Sequence, residues 1–89
     1  MDMEIRCVRS AFKHHVTEED IRRAFDTARY DEILDDGKYL LIGFDRNANL
    51  LEIRYNVLGT DIINVFHAMK CRSIFYPLLQ SMEEQKWQN

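Results

Sequence analysis

Four side chains have the types and the spacing for proton transfer beside a phosphate: Glu52, Arg54, His67 and Arg72. Glu52 and Arg54 share one side of an alternating run in which Leu51, Ile53, Tyr55 and Val57 take the other. His67 closes the next strand-like run, and Arg72 follows shortly after it. A carboxylate beside an imidazole favours the cation and raises its pKa. An imidazole flanked by guanidiniums can serve as general acid or base on a phosphodiester, with arginine stabilising the developing charge. The plainer reading is a solvated sheet face on which Glu52 and His67 pair across strands, worth a few tenths of a kcal/mol up to about 1 kcal/mol. Lys13, His14 and His15 form a second basic group, either a solvated patch ahead of a helix or a phosphate contact.

The elements that must position these groups lie between Tyr39 and Arg72. Three strand-like runs are separated by turn-like breaks at 45–49 and 58–61, and turns this short imply an antiparallel meander. If 58–61 is a two- or four-residue connection, Val57 pairs with Ile62, Tyr55 with Asn64, Ile53 with Phe66 and Leu51 with Ala68. The opposite face then sets Glu52 across from His67 and Arg54 across from Val65. Pairing Asp45 with Leu50 places Gly43 opposite Glu52, Leu41 opposite Arg54 and Tyr39 opposite Asn56. Leu40, Ile42 and Phe44 then join the core. Tyr39, Glu52, Arg54 and His67 share the solvated face, with Arg72 just beyond the strand end.

Upstream, residues 3–8 read as a short edge strand, and Ser10 as the cap of a helical turn. Thr17-Glu18-Glu19-Asp20 resembles a capping box with Asp at the last position, and Val16 and Ile21 sit at the positions of a hydrophobic staple. Ile21, Ala24, Phe25 and Ala28 then give an apolar stripe for a helix over about 18–29. Residues 31–34 read as a short strand before the Asp35-Asp36-Gly37 turn. Ile74, Phe75, Leu78, Leu79 and Met82 mark a helix from near Ser73 toward Glu84, with Pro77 in its first turn. The expected fold is therefore α+β: an antiparallel meander of three to four strands, packed on one face by N-terminal and C-terminal helices. The 89 residues make one domain, with a core over about 3–82 and a tail over 83–89 that frays unless Trp87 docks.

Composition narrows the classes. Hydrophobic content of 46% and charged content of 30% suit a folded globular domain. No apolar run is long enough to cross a bilayer and no secretory signal opens the chain, so no membrane is expected and a cytoplasmic location is. Cys7 and Cys71 form no CxxC pair and read as reduced thiols, at least one packed as a small hydrophobe. Adjacent His14 and His15 point apart, so no metal site is expected. A Gly-rich phosphate loop and a nucleophile motif are absent, which leaves no cofactor to expect and disfavours a small-molecule enzyme. The net charge of −3 excludes a uniformly basic nucleic-acid binder and leaves room for a local basic patch.

Lys13-His14-His15-Val16-Thr17-Glu18-Glu19-Asp20-Ile21, the strand Leu40-Leu41-Ile42-Gly43, Leu50-Leu51-Glu52 and His67-Ala68-Met69-Lys70-Cys71-Arg72 together resemble the toxins of bacterial type II toxin–antitoxin systems of the BrnT kind, which have a RelE/ParE-type fold. The likeness covers most of residues 10–79; His15 stands where that group usually has Gly. It implies an endoribonuclease that cleaves mRNA, ribosome-associated or free, neutralised by a cognate antitoxin. On this likeness His67, Glu52 and Arg72 would be catalytic and Lys13 and His14 would bind RNA; the shared sheet face adds Arg54 to the first set and Tyr39 to the second. Two alternatives stand beside it: a non-enzymatic interaction module, or an inactive divergent member of the same fold. Four Met with Phe75, Tyr76 and Trp87 would then serve a homodimer or a protein partner.

Overall fold

A computed structural model of the chain describes residues 3–80. Five strands form one sheet: β1 (Glu4–Cys7), β2 (Tyr30–Ile33), β3 (Lys38–Phe44), β4 (Leu50–Leu58) and β5 (Ile62–Lys70), in the order β1-β5-β4-β3-β2. The strands β2 to β5 make the expected antiparallel meander, but β1 pairs with β5 in parallel, so the sheet is mixed. That pairing needs a long return path, supplied by everything between β1 and β5.

Helix α1 (Glu18–Asp26) starts where the capping residues place it: Thr17 Oγ1 accepts from the Asp20 N–H at 3.2 Å. Asp20 is too short to complete the reciprocal half of a capping box. Its carboxylate instead accepts from the backbone N–H and Nε of Arg46, at 3.0 and 2.8 Å, and ties the helix to the β3–β4 turn. Those bonds hold the Asp20 carboxyl below its ordinary range. The helix ends three residues short of the expected Arg29. Thr27 stops it, its hydroxyl donating to the Arg23 carbonyl at 2.8 Å while the Phe44 N–H donates to that hydroxyl at 2.9 Å.

The two helical segments pack on opposite faces of the sheet, not on one. Against α1 lie Leu41, Leu51, Ile53, Tyr55, Val65 and Ala68, closed by Ala11, Ile21 and Ala24. Gly43 makes this contact possible, because a Cβ there would stand 2.1 Å from the Ala24 carbonyl oxygen. The other face buries Leu40, Ile42 and Cys71 beneath Tyr30, Leu50, Phe75, Leu78 and Leu79. That cover is a 3-10 turn, Ser73–Phe75, followed by a helical turn over 76–80 with Pro77 in its first turn. The expected continuation to Glu84, the place of Met82 and Trp87, and the tail over 83–89 lie outside the described residues.

The register differs from the expected one at both hairpins. The β4–β5 connection is Gly59, Thr60 and Asp61, so Leu58 pairs with Ile62 and every partner moves by one. A bulge then leaves Phe66 unpaired between Tyr55–Val65 and Arg54–His67, which moves the partners by one more. His67 thus stands opposite Arg54, and Glu52 opposite Met69. In the β3–β4 hairpin Ile42, not Gly43, faces Glu52, and Tyr39 pairs with Tyr55. Leu40 and Ile42 accordingly face away from α1. Tyr39 lies on the α1 face, its ring stacked on Tyr55 at 5.0 Å between centroids.

Candidate functional site

Glu52 is the pivot. The expected register sets Glu52 on a solvated face, yet Glu52 is 0% exposed. Burial of a charge is tolerated only when its lone pairs are met, and here they are. Arg72 donates three times: backbone N–H to Oε1 at 2.9 Å, Nε to Oε1 at 3.0 Å and Nη2 to Oε2 at 2.8 Å. His67 Nε2 completes the set at 3.2 Å from Oε2. Burial pushes the Glu52 carboxyl up, but the Arg72 and His67 bonds together outweigh it and leave the group below its ordinary value.

An ionised carboxylate only accepts, so the His67 Nε2 carries the proton and Nδ1 keeps its lone pair. The imidazole pKa moves opposite to the sequence expectation. Desolvation lowers it, Arg54 and His14 lower it further, and the bond to Glu52 offsets them only in part. His67 is a neutral base held in one tautomer, with 24% of its side chain exposed. Arg72 is still 46% exposed after serving Glu52 and lies 5.4 Å over the Phe75 ring. Arg54 stands across the ladder from His67, and its Nε is buried with no hydrogen-bond partner.

The bulge at Phe66 aims His67, and the chain after β1 supports it. Ser10 does not cap the 3-10 turn Arg9–Phe12; Val8 holds that position. The Ser10 hydroxyl donates instead to the freed Phe66 carbonyl at 2.7 Å. From there the chain brings the His14 ring to 5.7 Å from that of His67, edge-on at 72°. Lys13 shares a shallow surface depression with Arg9, Ser10 and Phe12. His15 takes the left-handed conformation, φ 65°, so the turn that Gly would favour forms with a histidine in it.

Of the candidate residues, the structure gathers Glu52, Arg54, His67, Arg72 and His14, leaves Lys13 adjacent in sequence, and sets Tyr39 on the other face. Ser10 was missed as a positioning group, and no local pattern marks a hydroxyl that serves a bulge 56 residues away. Charge is also segregated. No carboxylate occurs in residues 5–17 or 62–80, whereas β2 and its following turn hold Asp31, Glu32, Asp35 and Asp36. Cys7 and Cys71 are free thiols, Cys71 buried. Among the described residues no group of His, Cys, Asp and Glu is arranged to hold a metal ion, and no helix is long and apolar enough to cross a membrane.

No family model and no curated protein matches the chain. Among solved structures it is similar to the Brucella abortus ribonuclease toxin BrnT, with a TM-score of 0.63 over 80% of this chain and 99% of that one. The two are 13% identical, so the likeness is one of fold. The BrnT-like toxin fold expected from the sequence motifs is the fold the chain adopts.

Proposed function

We propose that the chain is the toxin of a type II toxin–antitoxin system and cleaves RNA, with His67 as general base. One observation carries this reading: buried Glu52 fixes His67, through Nε2, and the partly exposed Arg72 together. The likeness of fold to a ribonuclease toxin supports it. In this scheme His67 Nδ1 takes the proton of the attacking hydroxyl, while Arg54 and Arg72 stabilise charge on the phosphoryl oxygens. Arg54 stands opposite His67 across the ladder. Lys13 contacts the RNA backbone. The protein works in the cytoplasm as a single domain of RelE/ParE type, with no metal or cofactor, on free or ribosome-bound mRNA. A cognate antitoxin covers the site.

The test is cleavage of RNA by the purified chain in the presence of a chelator, alongside growth on induced expression without antitoxin. Wild type should cleave and arrest growth. His67→Ala should lose about 10²–10⁴-fold in rate while remaining folded. A wild-type chain that neither cleaves nor arrests growth would overturn the proposal.

A second reading, an interaction module, is favoured by exposed apolar groups at the other end of the sheet, Ile33 at 55% and Leu34 at 45%, on the edge strand β2 and just after it. Light scattering that shows a stable homodimer, together with inert RNA, would establish it instead.

A further inference from the structure

We propose that His14 is the second proton-transfer group of the site, donating to the leaving oxygen while His67 accepts from the nucleophile. The inference rests on the ribonuclease reading and deepens it. It starts from the contact between the two rings, 5.7 Å apart and nearly perpendicular. His67 is committed on one side, its Nε2–H to Glu52, so a single imidazole would have to shuttle both protons from one nitrogen. His14 arrives from a separate segment and is exposed.

The placement of the two histidines is coupled. Ser10 bonds the bulge carbonyl immediately before His67. The same short stretch then closes on itself through Lys13 N–H to the Ser10 carbonyl at 3.3 Å and His15 N–H to the Phe12 carbonyl at 3.2 Å. One local structure thus sets both rings. Around His67 stand Glu52, Arg54 and His14. The charged and titratable groups in the depression beside His14 are His15, Asp20, Asp45 and Lys70.

The chemistry balances without a co-reactant. The RNA 2′-hydroxyl gives its proton to His67 Nδ1 as its oxygen bonds to phosphorus. The bond from phosphorus to the 5′-oxygen breaks with its electron pair, and that oxygen takes a proton from imidazolium His14. The products are a 2′,3′-cyclic phosphate and a 5′-hydroxyl. The two histidines end with protonation states exchanged, and solvent resets them.

A leaving group that needs no proton isolates the role of His14. A defined RNA oligonucleotide is made in two forms, with oxygen or with sulfur at the 5′-bridging position of the cleaved linkage. The thiolate leaves unprotonated, so acid catalysis no longer matters to it. On ordinary RNA, His14→Ala should be slower than wild type by about 10²–10³-fold. On the sulfur substrate it should come within about tenfold of wild type, whereas His67→Ala stays slow on both. His14→Gln should behave as His14→Ala, and melting curves of both should match wild type. A His14→Ala protein as fast as wild type on ordinary RNA, or equally impaired on both substrates, overturns the assignment while leaving the ribonuclease reading intact. A wild type inert toward both substrates removes the ribonuclease reading and this proposal with it.

Discussion

The two faces of the sheet solve opposite problems. Against α1 the contact is dry and apolar, and so close that one strand position must be glycine. Against the C-terminal segment an apolar cluster of similar residues surrounds a buried carboxylate. Apolar side chains of similar volume in place of the whole Glu52–His67–Arg72 set would serve stability as well or better, since buried ion pairs are often neutral or worse beside an apolar replacement. Glu52 is explained by what it holds in place. One face maintains the fold, and the other accepts an electrostatic burden in exchange for a fixed histidine and a fixed arginine.

The largest expected effect breaks the first face. Gly43→Ala must push its Cβ into the Ala24 carbonyl, a backbone group that cannot rotate away. It should lose at least the roughly 3 kcal/mol at the top of the usual overpacking range, seen as a lower midpoint in urea unfolding.

Glu52→Gln probes the second face and should cost about 1–3 kcal/mol, because the His67 Nε2–H and the Arg72 donors lose their buried anionic acceptor. It should also abolish cleavage, whereas any residual folded Gly43→Ala protein should cleave at the wild-type rate per folded molecule. Equal specific activities would erase the distinction between the faces.

Acid titration sharpens it. The folded pKa of His67 is depressed, so its contribution to stability is complete above the unfolded value near 6.5 and declines as pH falls below that. Glu52 is also depressed, and its contribution is lost only as pH falls from about 4.3 through its folded value. Wild type should therefore lose stability in two stages on acidification, and Glu52→Gln should lack the Glu52 contribution to the lower one.

The smallest effect sits in the turn between the faces. His15→Gly relieves a left-handed residue at the cost of a looser unfolded chain and should gain about 0.5 kcal/mol, read as a modest rise in melting temperature.

How legible this was in the sequence varied with the range of the cause. The start of α1 was readable because Thr17 and Asp20 act within one turn. The β3–β4 and β4–β5 hairpins were readable as hairpins, since their turns are local. Their registers were not, for a physical reason: alternation fixes which residues share a face on one strand, not which face the next strand presents. Both faces of β3 are buried, so Leu40-Leu41-Ile42 offers no polar side to orient it. An odd-length connection and the Phe66 bulge then moved the phase twice within β5. The grouping of Glu52 with His67 nevertheless stands, through a diagonal contact where a direct one was expected. The long-range placements, β1 beside β5 and the C-terminal segment across the far face, had no local signal. Only Gly43, a lone glycine inside an apolar strand, hinted at a close backbone approach.

The uneven distribution of carboxylates bears on how a molecule of net charge −3 would meet the RNA proposed as its substrate. β2 lies three strand spacings from β5, about 14 Å, while charges at 0.1 M salt are felt over about 10 Å. The RNA proposed as substrate, arriving at β5, would therefore sense the histidines, Lys70 and Arg72, with Asp20 and Asp45 of the same depression, and hardly the acidic edge behind them. In dilute salt the screening length grows past the width of the sheet, and the distant carboxylates act on the same approaching strand. Lower ionic strength would then slow association of that RNA by bringing the β2 carboxylates into range, and higher ionic strength would screen them.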